Sequence, residues 1–215
     1  MLFRSIKVYD TFRSAIAVEM VSGGILENIR VEDIVAKNTG NAIFIRLGQQ
    51  HRDKPGTLRN VVIRNMKVEV PFGRPDEKYE IRGPELPFFH NVFPSSITGL
   101  PGYPVENVTL ENIEITYPGR GNPAFANLPL SRLASVPENA SLYPEFSMFG
   151  ELPAWALYVR HAAGITLKNI TFKIHSPDYR PAVVLDDVKD WDCKELHVRG
   201  DRKEGDPVFL KDISR

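Results

Sequence analysis

Apolar and polar residues alternate in one short phrase that returns along the chain with drift. Its form is apolar-x-Asn-apolar-x-apolar-x-Asn/Asp-apolar, and full copies occupy residues 26–34, 58–66 and 105–113. Weaker copies stand at 165–170 and 191–196, and 6–10 is a copy that lacks its beginning. Alternation with a period of two is the signature of a half-buried strand, and no window of ten or more residues carries the helical period. A second strand precedes each phrase, at 15–20, 42–47, 95–100, 156–161, 182–187 and 207–212. Aligned on their inward apolar residues, these strands form one outward column of Glu19, Arg46, Thr98, Arg160, Asp186 and Lys211. A parallel outward column holds Ala17, Phe44, Ser96, Tyr158, Val184 and Phe209.

The first Asn of each full copy stands at 28, 60 and 107, steps that a coil of roughly 20–30 residues with insertions produces. One such coil cannot bury its apolar face alone, and stacking coils builds a continuous core. The pattern therefore predicts an all-β, single-stranded solenoid of about five to six coils. The recurring Asn residues read as structural, because Asn at a corner satisfies turn backbone and tolerates left-handed dihedrals. Two insertions interrupt the repeat, at about 71–94 and 118–153, inside a single domain over 1–215. Their aromatics, among them Phe88, Phe89, Phe93, Tyr143, Phe146, Phe149 and Trp155, predict packed loops that wall a groove over the outward column. A smaller loop at 49–56 is expected on the groove's other side.

Composition narrows the chemistry. Lys+Arg and Asp+Glu are both 27, so the balanced charge gives no reason to expect nucleic acid or an anionic membrane as partner. No apolar run approaches the roughly 18–20 residues of a membrane span. The single cysteine, Cys193, excludes an intramolecular disulfide, and no Cys/His cluster has metal-site spacing. No metal and no cofactor is expected.

Several phrases resemble polygalacturonase-like proteins of glycoside hydrolase family 28. They are Gly23-Gly24-Ile25-Leu26-Glu27-Asn28-Ile29-Arg30-Val31, Ile43-Phe44-Ile45-Arg46-Leu47-Gly48, Ser96-Ile97-Thr98-Gly99-Leu100-Pro101-Gly102 and Leu157-Tyr158-Val159-Arg160-His161. The resemblance covers essentially the whole chain and is strongest around 13–70 and 147–190. It implies a right-handed parallel β-helix whose groove binds a polysaccharide, typically pectic, and an inverting hydrolysis between two carboxyl groups roughly 6.5–9.5 Å apart. It also implies export of the parent protein to the periplasm or the exterior.

The departures shape the functional reading. The family's Asn-Thr-Asp and His-Gly motifs are absent, and its Arg-x-Lys strand falls on Ala17-Val18-Glu19. An ionised Glu19 would repel a galacturonate carboxylate, which disfavours a strict polygalacturonase. Asp186-Asp187 is the only Asp-Asp pair and reads as structural, since adjacent strand residues face opposite sides. The catalytic acids are therefore expected upstream of Met1, with this chain forming the downstream half of the groove. Substrate contacts are expected from Glu19, Arg46, His51, His90, Tyr158 and Arg160. Arg is a long donor suited to sugar hydroxyls and carboxylates, and Tyr can stack on a sugar ring. The partner is then a polysaccharide or oligosaccharide, and an uncapped first coil could pair end to end with itself. The competing functions are a noncatalytic glycan-binding or adhesin-like scaffold, and a polysaccharide lyase, which would need an acidic Ca²⁺ cage.

Overall fold

The computed structural model describes residues 1–51, 53–75, 90–125, 128–201 and 206–214. The middle of the first insertion, with Phe88 and Phe89, lies outside the described residues. The described chain is all-β: β1 (Leu2–Met20), β2 (Ile25–Leu47), β3 (Thr57–Glu69), β4 (Ser95–Thr98), β5 (Val105–Tyr117), β6 (Leu157–Ile174), β7 (Val183–Arg199) and β8 (Val208–Ser214). The helical content is two short 3-10 turns in the second insertion, Pro123–Phe125 and Leu130–Ser135.

Every pairing between these strands is parallel. Their order corrects the expected architecture. The strands β2, β3, β5, β6 and β4 form a closed five-stranded parallel barrel, with β1, β7 and β8 as outer strands. An open, single-stranded right-handed β-helix of stacked coils does not describe this closure. The ring closes because β2 and β6 each divide their length between β4 and another strand of the ring. Residues 25–37 of β2 pair with β3 while 44–46 pair with β4, and 157–160 of β6 pair with β4 while 162–174 pair with β5. The four-residue β4 completes the circuit. Alternation fixes which face a residue takes, but it does not say which edges meet.

The long strands turn corners at left-handed residues. In β2 these are Asn28, Asp33 and Asn38, with φ of 58°, 58° and 57°. Asn and Asp tolerate this region because their short polar side chains bond locally. Here the side chains also bond to each other across strands. Asn60 donates to Asn28 and Asn107 to Asn60, each at 3.1 Å. A second ladder runs from Asn65 to Asp33 (3.0 Å), Asn112 to Asn65 (3.2 Å) and Asn169 to Asn112 (2.9 Å). The first ladder stops at Gly164, whose φ is +69°; a Cβ there would lie 2.5 Å from Asn107 Oδ1.

The inward residues form the main core, with Ile45, Ile63, Leu110, Val159, Ile165, Leu167 and Leu185 fully buried. A second core lies on the opposite, outward side, where Phe44, Tyr158 and Val184 pack under Leu133, Val136, Phe146, Met148 and Phe149 of the second insertion. Phe146 meets Phe12 and Phe93 edge to face at 5.2 and 5.0 Å.

Candidate functional site

The parallel register aligns the outward column. Glu19 lies opposite Arg46, Arg46 opposite Thr98, Thr98 opposite Arg160, Arg160 opposite Asp186, and Asp186 opposite Lys211. The second column from Ala17 to Phe209 is aligned by the same pairings. The groove expected above them is not open over its middle. The second insertion crosses the face and buries Arg46, Thr98, Tyr158 and Asp186. An outward row of Phe44, Tyr158 and Val184 is apolar surface that water leaves unfavourably, so the loop settles on it.

Polar contacts fasten this strap. Arg46 Nη1 donates to the Gly99 carbonyl at 2.9 Å and Nη2 to the Glu138 carbonyl at 2.5 Å. Its guanidinium lies 5.3 Å from the centre of the Phe149 ring. Burial lowers the Arg46 pKa to about 10, with the Glu138 carboxylate opposing that shift. Arg160 Nη1 donates to the Val136 carbonyl at 2.8 Å and pairs with Glu138 at 3.1 Å, while its Nε lies 3.2 Å from Asp186. The pairing of Arg160 with Asp186 is present, but no ion pair joins Glu19 to Arg46, whose guanidinium is engaged by carbonyls.

His161 extends the cluster. Its Nδ1 lies 2.5 Å from Asp187 and its Nε2 3.1 Å from Glu138. Burial disfavours the imidazolium, but the bonds to Glu138 and Asp187 outweigh burial and raise the pKa above the ordinary value. Asp187 is thereby a partner of His161, while buried Asp186 faces Arg160 and Lys211. Beside them lies a cavity of about 120 Å³ lined by Leu100, Pro104, His161, Asp187 and Lys189. That is well below the roughly 300–1,000 Å³ of a small-molecule pocket.

Glu19 is different. It is exposed, at the β1 end of the column that the strap leaves uncovered. Although its surface is open, close packing and the neighbouring Glu145 carboxylate push its pKa up to about 7, against the pull of Arg13. Glu145 is buried and pairs with the half-exposed Arg13 at 3.0 Å. A carboxyl with a pKa of about 7 is partly protonated at neutral pH, and its protonated form can donate a hydrogen bond as well as accept one.

The remaining expected contacts do not converge on this place. His51 is exposed on the loop after β2 and makes no hydrogen bond or ion pair among the described residues. His90 stacks on Phe72 at 5.2 Å, with Arg120 4.5 Å from the same ring, and burial lowers its pKa. Tyr158 lies wholly within the second core. Trp155 belongs to the inner core and donates to Asp201 at 3.1 Å. Sequence reasoning missed Glu138 and Glu145, which carry no repeat signal inside the insertion, and the buried Asp178–Arg180 pair. Among the described residues no group of three or more His, Cys, Asp or Glu is placed to hold a metal ion.

Compared with family models, with curated proteins and with solved structures, the chain matches none.

Proposed function

We propose that this chain binds a complex, pectic-type polysaccharide as part of a glycoside hydrolase, with the glycan held at the β1 end of the outward column. The observation that supports this is Glu19: an exposed carboxyl with a pKa near 7, beside the Glu145–Arg13 ion pair, at the uncovered end of the column. With a pKa of about 7, the protonated share of Glu19 donates to a sugar hydroxyl and repels a uronate carboxylate less than a fully ionised Glu would, and Arg13, paired with Glu145, lies beside it. Arg46 and Arg160 act beneath the strap, by holding it, and not as direct sugar contacts. Hydrolysis needs two carboxyl groups flanking the scissile bond, and we assign neither to this face.

The covered middle of the face favours a second reading, a noncatalytic glycan-binding scaffold. Affinity electrophoresis against homogalacturonan, rhamnogalacturonan and xylan tests binding itself. Glu19→Ala and Arg13→Ala should each weaken retention about tenfold, equivalent to about 1.4 kcal/mol. Absence of retention by every polysaccharide, or full retention by both variants, refutes a glycan site at Glu19. Reducing-sugar release by a longer protein containing this chain distinguishes hydrolase from scaffold.

A further inference from the structure

The ends of three neighbouring strands, β3, β5 and β6, frame an open pocket of about 360 Å³, and none of its lining residues belongs to the outward column. The segment after β3 supplies Phe72, the start of the second insertion Pro118 and Arg120, and the segment after β6 His175 and Ser176. Exposed Glu69 completes the polar lining. The volume lies within the roughly 300–1,000 Å³ of small-molecule pockets, where an apolar wall holds a ligand and a few convergent polar groups orient it.

The backbone under this pocket is pinned from several sides. The amide of His175 donates to the Tyr117 carbonyl at 3.0 Å, that of Ser176 to Pro118 at 3.1 Å, and that of Arg120 to Pro177 at 3.1 Å. The Gly121 amide donates at 2.8 Å to Asp178, the carboxylate that Arg180 grips. His90, stacked on Phe72, also bonds to the Arg120 backbone. Within this frame Gly119 and Arg120 both take the left-handed conformation, with φ of 75° and 72°. Glycine is needed at 119, where a Cβ would strike the Ser176 carbonyl. Arginine has no such reason to be at 120, since it lacks the short polar side chain with which Asn and Asp settle that region. Backbone of this kind persists where its surroundings over-determine it, and it clusters at ligand clamps.

The exposed Arg120 side chain is what this turn presents. Its guanidinium lies 4.5 Å from the centre of the Phe72 ring and, among the described residues, has no carboxylate within ion-pair distance. A guanidinium can rest on an aromatic ring and still offer its planar fork of donors to a carboxylate. The one carboxylate in the lining, Glu69, pairs with Lys37 at 3.9 Å, which offsets its charge. We infer that this pocket is a second sugar site, built for a uronate unit, in which Arg120 takes the carboxylate. The His175 imidazole and the Ser176 hydroxyl bond the ring hydroxyls, and Phe72 and Pro118 supply the apolar wall. That the ligand is an anion rests on Arg120 and the pocket; that a sugar carries the charge rests on the glycan reading of the preceding section.

Isothermal titration calorimetry with trigalacturonate tests this, on the Glu19→Ala protein so that the site at the outward column is silenced. Glu19→Ala should still bind trigalacturonate, and added sodium chloride should weaken that binding because an exposed ion pair is screened. Adding Arg120→Gly should weaken it roughly tenfold or more, since a charge-assisted pair is lost. Glycine accepts the left-handed turn, so this variant should stay folded, which circular dichroism checks. His175→Ala, at an exposed position, is a second variant and should weaken binding about threefold. Galactotriose of the same linkage, which lacks the carboxylates, should bind at least roughly tenfold more weakly than trigalacturonate. No binding by folded Glu19→Ala, undiminished binding after Arg120→Gly, or equal binding of galactotriose overturns the inference, as does inorganic phosphate binding as tightly as trigalacturonate. The two proposals fail separately. If Glu19→Ala abolishes all binding, this inference falls and the site at Glu19 stands. If wild type and Glu19→Ala bind alike and Arg120→Gly does not, the site at Glu19 falls and this one stands.

Discussion

Replacing Arg180 by methionine strands a carboxylate in the protein interior. Arg180 and Asp178 are both buried, and the guanidinium grips the carboxylate twice, Nε to Oδ1 and Nη2 to Oδ2, each at 2.9 Å. Its Nη1 donates to the carbonyls of Val92 at 2.8 Å and Leu152 at 3.1 Å, which ties the ends of both insertions to one side chain. Asp178 also accepts from the Gly121 backbone at 2.8 Å. Burial would raise the Asp178 pKa, but Arg180's charge and hydrogen bonds outweigh it and hold the carboxyl below its usual range. Removing one partner of a buried pair costs about 3–5 kcal/mol, because the other charge stays behind unpaired. Arg180→Met should therefore lose about 3–5 kcal/mol at neutral pH, measured by urea unfolding followed by circular dichroism. The pair D178N/R180M removes one of the two buried carboxylates that face Arg180 and should recover about half of that loss; Glu151, 3.9 Å from Arg180 Nε, remains, with its bond from the Tyr179 hydroxyl at 2.9 Å. The sign with pH follows from the depressed pKa. In the native protein this contribution is present above the unfolded carboxyl pKa of about 3.9 and is lost as pH falls through the lower folded value. In Arg180→Met the carboxyl can protonate, so the deficit should shrink in acid. A loss below about 1 kcal/mol, or a double variant as unstable as the sum of the singles, refutes this account.

Other consequences are as direct. His161 has a raised pKa, so its contribution is full below the unfolded value of about 6.5 and is lost as pH rises through the folded one. Stability should therefore fall across that rise, and His161→Gln should flatten the profile in thermal melts at a series of pH values. Arg46→Met removes a bond to the strap at Glu138 and one to Gly99 and should cost about 2–3 kcal/mol, with faster limited proteolysis within 118–153 as the specific sign. Asn65→Ala breaks a ladder at a left-handed corner and should cost about 1–2 kcal/mol in urea unfolding, with Asn65→Gly costing less because glycine accepts that dihedral. Gly164→Ala forces a Cβ against Asn107 at positive φ and should cost about 1–3 kcal/mol by the same measurement.

Much of the local structure was legible in the order of residues. The alternation around Leu58, Val61 and Ile63 announced strands, and the inward residues of six strand segments aligned the outward columns as the pairings have them. The recurring Asn residues marked the corners, since few other side chains tolerate left-handed backbone. Of the expected contacts, Glu19 remains on an open surface, while Arg46 and Tyr158 lie under the strap and His51 and His90 stand elsewhere.

Charge pattern misled where burial intervened. Arg46 read as a groove contact because a strand's outward face is ordinarily solvated, yet it is covered, as is Asp186 in the same column. The row of Phe44, Tyr158 and Val184 beside them was the sign that this face seeks a cover. Strand positions, faces and corners could be read from residue order, because dihedral preference and a two-residue period act locally. Long-range packing was needed for β4 to close the barrel, for the insertion to fold back over the outward columns, and for Asp178 to meet Arg180 beneath two loops. These outcomes depend on which distant surfaces leave water together, and residues far apart in the chain carry no local record of that.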